Sequence, residues 1–563
     1  MSTETASRTI PTCADVIGRI DGRTDLPLRR RQDLSSAMRR FCRLQSRQPH
    51  DIPADPADLR RQLAQMSAPA AGLSQGSFRN LRSLLGKALI EAGITSVPRR
   101  SRMPLGPEWR QLLAGMSGDR HQRYSLSHLA RYCSERGIRP VDIDDEVVAV
   151  YGRDLVSQSL LDRPKQAYRN ACLAWNRSMN TIRGWPQHKL TIPSSRPTYA
   201  LPPAAFPASF GIDLDAYLEH LSGDDLFGEM GGRPASPDTL KGRRKQILAL
   251  ASALVEAGHD PQSIRSLADL VAPDAAQAAL TIVWKRLGQR KTGYLHNLAL
   301  LLVILGHHWV KVDPSDLERL RALRRNVDPG KGGMTDSNRR KLMQFTDPAN
   351  VAALLRLPGQ LVAEAVRRDR GGVAEAVAVQ SALAIAIELA APLRINTLVK
   401  LNRDQHIARS RPGPRGVVHL VIPASDVKNR MPLELVLPPR VVELLDLYWE
   451  RFRPRLVSQP GSWLFPGRTG HKNREGMSKQ ISQTIRKVTG LRMHTHLFRH
   501  LAGFLFLSRN PGEFETVRLL LGHRSSEMTS TVYCGMEQAA AFRRYDEVIS
   551  EYLAAEEFDD AAE

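Results

Sequence analysis

The sequence contains few cysteines and no apolar run long enough to cross a membrane. The longest such run, 298–305, is far shorter than the roughly 20 residues that span a bilayer. The N-terminal residues also lack the continuous apolar segment of a secretion signal. The cysteines form no CxxC pair and no Cys/His pattern with metal-ligand spacing: Cys13, Cys42, Cys133, Cys172 and Cys534. We therefore expect a reduced, cytoplasmic protein with no disulfide framework, no metal and no membrane partner.

Acidic residues are scarce relative to basic ones. The chain has 80 Lys and Arg against 58 Asp and Glu, a formal net charge of +22 and a sequence pI near 10.2. Guanidinium groups bind phosphates through paired hydrogen bonds, so an arginine-rich excess favours a nucleic acid as partner. The alternative is a basic protein without a polyanionic partner. The 42% hydrophobic content and the 563 residues indicate a folded protein of about three or four domains.

Two segments rich in proline or glycine divide the chain. Residues 192–208 are rich in proline and are expected to form an extended linker, at the start of a Pro-rich linker region that covers 192–235. Residues 329–335 read PGKGGMT and predict a flexible basic hinge. The part of the chain before this hinge lacks alternating β-branched runs and predicts short amphipathic helices.

Three helical segments share a weak repeat: 81–94, 126–138 and 247–259. Each carries apolar residues at helical spacing, then a glutamate, then a glycine two residues later. The glycines favour a left-handed turn that ends each helix: Gly93, Gly137 and Gly258. Either these are duplicated DNA-binding modules, or the pattern is that of any amphipathic helix ending in glycine.

The segment 236–328 combines an apolar helical stripe with basic side chains near Trp284 and Tyr294. Such helices present one face to a core and another to phosphates, so the segment predicts a DNA-binding domain. A merely solvated basic face is the alternative. The basic residues that we expect to contact DNA are Arg243, Arg244, Lys245, Lys285, Arg286, Arg290 and Lys291.

From about residue 340 the pattern changes. Residues 381–401 predict a buried helix that Pro392 breaks, followed by a short second helix. Residues 416–423 and 431–438 have strand character and flank a polar turn, so they predict a β-hairpin with Lys428 in its turn. Further helices are expected at 439–453, 476–489, 496–508 and 513–521.

This C-terminal part contains six residues suited to phosphate chemistry: Arg394, Lys428, His496, Arg499, His523 and Tyr533. Breaking a phosphodiester builds negative charge on its non-bridging oxygens, which fixed cationic donors stabilise. The i, i+3 spacing puts His496 and Arg499 on one helical face. A phenol can attack phosphorus where surrounding positive charge favours its anion. These residues predict DNA cutting and rejoining through Tyr533, without a cofactor.

The segments around these residues resemble the catalytic domain of the tyrosine recombinases, the phage-integrase family. The segments are APLRINTLVKL, the hairpin turn, HLFRH, LLGH and Thr531-Val532-Tyr533. The resemblance implies that two arginines grip the phosphate, that Lys428 protonates the leaving 5′ oxygen, and that Tyr533 forms a 3′-phosphotyrosine. It implies hydrogen-bond donation by His496 and His523 and support from His500, which does not itself touch the phosphate. His496 is also suited to accept the tyrosine proton.

The resemblance covers roughly 380–540 and implies the overall organisation. We expect a mainly α, multidomain protein with a small β-sheet in its C-terminal domain and helical SAM-like modules before it. The implied partners are double-stranded DNA with paired inverted half-sites, further copies of the chain in a homotetramer, and accessory proteins or partner recombinases at the nucleoid. The expected domains are an N-terminal helical region for DNA or a partner (1–110), a module like a core-binding domain (111–191), the linker (192–235), a core-binding, DNA-clamping domain (236–328), the catalytic domain (336–545) and an acidic tail (546–563).

The chain departs from the family pattern at three places. Thr397 stands where an acidic residue is common, and Ala391-Pro392 stands where Thr-Gly is common. Both positions concern the support of Arg394. Tyr533 follows His523 by ten residues, where many members have nine; Tyr545 and Tyr552 are its rivals as nucleophile.

We expect an integrase or transposase of a mobile element. One alternative is a type IB topoisomerase, which shares the catalytic residues and acts as a monomer. Another is a DNA-binding accessory protein of a multi-recombinase element, whose site is little used. The acidic tail carries an apolar stripe, which packs either on a neighbouring protomer or on its own domain.

Overall fold

The computed structural model forms two compact units, residues 192–332 and the remainder of the chain. It describes residues 10–523 and, after them, 525, 530, 542 and 545–551. Within 10–523 it does not describe 67, 70, 96–103, 117–119, 195–198, 224–233, 331–332, 412–415, 428–430, 458–460 and 468.

The N-terminal part of the first unit consists of helices around two hydrophobic cores. The first core takes its side chains almost entirely from residues 13–92, and the second from 109–190. The second contains Trp109, Trp175 and Trp185, whose rings pack tilted or edge to face with centroids 5.0–6.1 Å apart. The helices are α1 Cys13–Asp21, α2 Leu28–Leu44, α3 Pro56–Gln65, α4 Gln75–Glu91, α5 Pro107–Ala114, α6 Arg120–Glu135, α7 Asp145–Gln158 and α8 Pro164–Thr181.

The second unit is helical and has its own core. Part of the predicted linker is wrong, because Ala208–Ser222 is a helix rather than extended chain. Its Phe210, Leu214 and Tyr217 are buried in that core, which gives the helix a packed face despite the prolines before it. The helices are α9 Ala208–Ser222, α10 Pro237–Glu256, α11 Ala268–Val271, α12 Pro273–Arg286, α13 Gly293–Ile304 and α14 Pro314–Asn326.

The three predicted glycine turns are confirmed. Gly93, Gly137 and Gly258 have φ angles of 71°, 68° and 108°, in the region that favours glycine. In each case the next residue's N–H donates to a carbonyl five residues earlier, which closes the helix end. The same turn, with φ 66°, follows α12 at Gly288, outside the repeat. Each glycine of the shared pattern therefore ends a helix.

The C-terminal part of the first unit, from residue 333 onward, has a core of its own and is called the C-terminal module. It is built around the apolar helix Val373–Ala390. This helix has the length and hydropathy of a membrane span, but 61% of it is buried inside the module. The predicted break at Pro392 is confirmed, since the next helix begins at Ile395. The helices are α15 Asp336–Leu342, α16 Pro348–Arg367, α17 Val373–Ala390, α18 Ile395–Val399, α19 Arg403–His406, α20 Pro439–Leu447, α21 Arg474–Thr489, α22 Thr495–Arg509 and α23 Phe514–Leu521.

A small antiparallel sheet lies between α19 and α20. Its strands are β1 Ile407–Arg409, β2 Val418–Ile422 and β3 Leu433–Val436, in the order β1-β2-β3. Alternate residues of β2 are buried in the module core, and β2 pairs with β3 in the predicted hairpin. The fold class predicted from the sequence, mainly helical with a small C-terminal sheet, is confirmed.

The N-terminal helices contact the C-terminal module directly. The Gln75 Nε2 donates to the Lys487 carbonyl at 2.7 Å, and the Arg492 guanidinium donates to the Gln65 carbonyl at 2.9 Å. These contacts fix the end of α21 and the turn before α22. They explain why residues 10–191 share a unit with the C-terminal module.

Candidate active site

Arg394 stands in the turn between α17 and α18. Its own backbone is extended (φ −76°, ψ 140°), and the first helical N–H groups of α18 follow it. Pro392, two residues earlier, prevents α17 from continuing through this turn. The side chain is half-buried, and burial lowers the pKa of its guanidinium, which is nonetheless always charged.

Arg499 connects two turns of the chain. It lies on α22 and is only 5% exposed. Its Nη1 donates to the Pro392 carbonyl at 2.7 Å, and its Nη2 donates to the Leu521 carbonyl. Pro392 precedes Arg394 by two residues, and Leu521 precedes His523 by two. One buried guanidinium therefore holds the turns that carry two other predicted site residues.

His523 follows a left-handed glycine at the end of α23. Gly522 has φ 55° and ψ 47°, so the Leu-Gly-His segment turns sharply away from the helix. The His523 N–H donates to the Arg518 carbonyl at 2.9 Å, and the Arg518 guanidinium donates back to the His523 carbonyl at 3.0 Å. The backbone that carries this imidazole is thus held from both sides.

The imidazoles on α22 and after α23 form a cluster with the two arginines. The rings of His496 and His500 lie edge to face, with centroids 4.9 Å apart. Burial lowers the pKa of His523 to about 4, helped by the charges of Arg499, Arg394 and His496. The same cause, with the neighbouring histidines and Arg499, lowers the pKa of His500 to about 4.

His496 is the most accessible of these imidazoles. Its side chain is exposed, yet desolvation by the surrounding protein lowers its pKa, and the charges of Arg499 and Arg394 lower it further. It is therefore neutral near neutral pH, with one ring nitrogen able to accept a proton and the other able to donate a hydrogen bond. The positive charge of the cluster resides on the guanidinium groups.

Glu388 was not predicted from the sequence. It lies on α17, which packs against α22, and is 1% exposed. Neither carboxylate oxygen has a hydrogen-bond partner among the described residues. Burial raises the pKa of Glu388 well above its usual range, and the charge of Arg499 opposes this rise. A charged residue inside the apolar run 381–391 was the available signal, because charge is rarely buried without a partner.

His494 is a second residue missed by the sequence reasoning. It precedes α22, and its Nε2 lies 3.1 Å from the Asn338 Oδ1. Burial lowers its pKa to about 4, with the charges of Lys341 and His496 as further causes. The three histidines of the segment HTHLFRH (494–500) are visible in the sequence. Which of them face the arginines depends on how α22 packs.

Two predicted site residues, Lys428 and Tyr533, lie outside the described residues. The structure does describe the approach to Lys428. The buried His406 ring lies 3.1 Å from the Asp426 carboxylate, and Val427 packs against the module core. The hairpin is thus fixed up to the residue before Lys428.

The predicted DNA-binding residues of the second unit fall into two groups. Arg244 pairs with Asp215, and Arg286 pairs with Glu256 while its guanidinium covers the Tyr199 ring at 4.6 Å. The others are exposed or half-buried and form no ion pair with a described residue: Arg243, Lys245, Lys285, Arg290 and Lys291. The second group is the one available to an external phosphate.

No family model and no curated protein matches the sequence. The structure matches solved recombinases. The XerA recombinase is 14% identical, with 60% of this chain and 98% of that one covered and a TM-score of 0.23. The XerH site-specific recombinase bound to a palindromic difH substrate is 12% identical, with 63% and 99% covered and a TM-score of 0.31.

A phage protein also matches. The integrase from mycobacterium phage Brujita is 16% identical, with 58% of this chain and 90% of that one covered and a TM-score of 0.22. The likeness to these two recombinases and to the integrase is one of fold.

Proposed function

We propose that this protein is a tyrosine site-specific recombinase, the integrase or transposase of a mobile element. One observation carries the proposal: the Arg499 guanidinium binds the carbonyls that precede Arg394 and His523. A buried arginine that joins these two turns gathers cationic and imidazole donors at one place, as stabilising a phosphorane-like transition state requires. A salt bridge would explain a lone arginine, but here the contacts are to main-chain carbonyls.

In the proposed reaction, the Tyr533 oxygen attacks the phosphorus and the bond from phosphorus to the 5′ oxygen breaks. The phenolic proton passes to neutral His496, and Lys428 gives its proton to the leaving 5′ oxygen. The products are a 3′-phosphotyrosine and a free 5′ hydroxyl. Attack of a second strand's 5′ hydroxyl reverses these steps, so rejoining consumes no nucleotide.

The lowered pKa values of the imidazoles fit this division of roles. A neutral His496 is free to accept a proton, which a charged imidazolium could not do. His523 donates a hydrogen bond to a non-bridging oxygen from its neutral form. The arginines supply the charge, because their guanidinium groups stay protonated even when half-buried.

Glu388 acts in this scheme as a positioning residue for Arg499. It is buried on the helix that packs against α22, and its carboxyl is the nearby acidic group on which the Arg499 charge acts. Glu388 does not touch the phosphate in this proposal.

Trapping the covalent adduct tests the function. The DNA flanking the gene would be searched for inverted repeats, and a duplex of that sequence with a nick beside the cleavage point would be incubated with the protein. After cleavage the short strand diffuses away, and the covalent adduct accumulates as a slower band on a denaturing gel.

Tyr533→Phe is expected to abolish the adduct, because the side chain then has no nucleophilic oxygen. Tyr545→Phe serves as the matched control and should retain it. An adduct that persists in Tyr533→Phe and disappears in Tyr545→Phe would contradict the assignment, and no adduct with any variant would favour an accessory DNA-binding role. Junction products between two marked duplexes would separate a recombinase from a topoisomerase.

A further inference from the structure

A cleft of about 810 Å³ lies between the two N-terminal helical cores. Helix α4 lines one side, and α6, α7 and the start of α8 line the other. Its volume falls in the range of sites that hold small organic ligands, roughly 300–1,000 Å³. None of the described residues assigned to the reaction lines it, which separates the cleft from the cluster of Arg394, Arg499 and His523.

Positive charge predominates in the lining of this cleft. Its cationic residues are Arg79, Arg82, Lys87, Arg131 and Arg163. Asp162 is the one acidic residue among the described lining residues, 3.5 Å from Arg82 and 3.8 Å from Arg163. One carboxylate cannot neutralise five cations, so the cleft attracts an anion.

Lys87 is one of the cations in the lining that an anionic ligand can reach. It is half-buried and forms no hydrogen bond or ion pair with any described residue. The stem of Lys87 is half-buried along α4, and its ammonium is available to an anion in the cleft. Arg79, on the same helix, donates its Nε to the Gln75 carbonyl at 3.2 Å, and its terminal amino groups bind no other residue in the part of the chain that the structure describes.

The opposite side of the cleft offers a flat ring and neutral polar groups. Tyr124 lines it with a side chain that is 62% exposed, and Asn170 and Gln166 lie nearby in the lining. Burial and the charge of Arg131 lower the pKa of His128 to about 4, so this imidazole adds no charge at neutral pH. Aromatic rings stack on bases, and amide side chains bind their edges.

We propose that this cleft binds a phosphorylated nucleoside, either free or as one nucleotide of a nucleic-acid strand. The phosphate contacts Lys87, Arg79 and Arg82, and the base stacks on Tyr124. In this proposal the N-terminal helices α4, α6, α7 and α8 bind the nucleotide. Binding in this cleft does not depend on the reaction proposed at Tyr533, so the two proposals can be tested separately.

Lysine acetylation of the full-length protein tests the proposal. The chain is treated briefly with acetic anhydride in the presence of ATP or of a short single-stranded oligothymidylate, and each lysine is quantified by mass spectrometry. At a probe concentration about ten times its Kd, acetylation of Lys87 should fall about tenfold. Lys165, on α8 outside the cleft lining, is the internal control and should be unaffected.

The two probes distinguish the sources of the nucleotide. Protection by ATP identifies a free nucleotide as ligand, and protection by the oligonucleotide alone identifies a strand. If neither protects Lys87, or if Lys165 is protected equally, the proposal is wrong.

A variant pair provides the second measurement. Lys87→Gln should weaken binding of the protecting probe about tenfold, the loss of one charge-assisted hydrogen bond, while Lys165→Gln leaves it unchanged. Equal weakening by both variants would overturn the proposal in favour of unspecific attraction. Thermal unfolding of both variants checks that they fold, and Tyr533→Phe should bind the probe as the unaltered chain does.

Discussion

The C-terminal module and the second unit both present basic side chains for DNA, but they hold them differently. Arg499 is 5% exposed and donates to two main-chain carbonyls, whereas Lys285 is exposed and has no ion pair with a described residue. A buried guanidinium bound to carbonyls has one geometry. An exposed ammonium on a flexible stem adapts to whatever phosphate arrives. The first arrangement suits a transition state, and the second suits attraction that is independent of sequence.

The largest effect on the reaction rate is expected from Arg499→Lys, which keeps the positive charge but changes the geometry of the group that carries it. Lys at position 499 cannot bind the Pro392 and Leu521 carbonyls in two directions at once, so the turns of Arg394 and His523 lose their common anchor. Arg499→Lys should reduce the rate of adduct formation by about 10²–10³, the loss of one oriented transition-state donor. The rate is measured in single turnover on the nicked duplex, with DNA saturating.

Arg509→Lys is the matched control, since Arg509 ends the same helix and is exposed. It should cleave at the unaltered rate. If both variants lose activity equally, charge on α22 matters and the position of Arg499 does not. Circular dichroism of Arg499→Lys would show whether the loss comes from unfolding.

The next largest effect separates two neighbouring cations of the second unit. Lys285 is available to phosphate, whereas Arg286 is committed to Glu256 and Tyr199. Lys285→Ala should weaken DNA binding by about tenfold at low salt and reduce the salt dependence of the affinity. At saturating DNA its cleavage rate should be unchanged.

Arg286→Ala should behave in the opposite way. Its guanidinium packs within the unit, so its loss should lower the unfolding temperature and leave the salt dependence of DNA affinity almost unaltered. Fluorescence anisotropy at several salt concentrations and a thermal melt measure the two quantities. Were Arg286→Ala to carry the larger salt effect, the division into internal and external cations would be wrong.

The helices and the hairpin could be predicted because local patterns determine them. The apolar spacing of α21 to α23, Pro392, and the polar turn between β2 and β3 are all visible in the sequence. The linker prediction failed at α9 because its Phe210 and Tyr217 obtain their packing partners from α10 to α14, which no local pattern shows. The helix begins directly after the last proline of 192–207.

The residue types of the candidate site could be predicted from the sequence. The contacts that hold these residues in place could be predicted only in part. Arg394, Arg499 and His523 stand out through charge and order. The carbonyl contacts of Arg499 and the burial of Glu388 depend on how α17, α22 and α23 pack, and the sequence contains no spacing rule for such contacts. Lys428 and Tyr533 remain predictions, since both lie outside the described residues.

Glu388→Gln tests the buried support with a smaller change. Because burial raises the pKa of Glu388, the folded state binds a proton that the unfolded state releases near neutral pH, and folding is therefore penalised as pH rises. Gln does not titrate, so the variant should be more stable at neutral pH by on the order of 1 kcal/mol. The gain should vanish as pH falls below the ordinary range for glutamate, about 4.3.

Thermal melts across this pH range measure the effect, with Glu443→Gln as the control because Glu443 is exposed on α20. The same variant should slow adduct formation at saturating DNA if Glu388 positions Arg499, and the loss should appear in the rate rather than in DNA affinity. Unchanged chemistry with raised stability would assign Glu388 to packing alone.

The smallest effect contrasts two glycines, one in each unit. Gly137 has φ 68° and Gly242 lies inside α10, and an added methyl group would meet no atom within 4 Å at either place. Any change in stability on substitution by alanine is therefore a backbone effect. Gly137→Ala should destabilise by about 1 kcal/mol, because a left-handed backbone strains an L-residue. Gly242→Ala should stabilise by about 0.5–1 kcal/mol, since alanine loses less entropy in a helix. Chemical denaturation gives both values, and a Gly137→Ala protein as stable as the unaltered chain would show that the end of α6 adjusts freely.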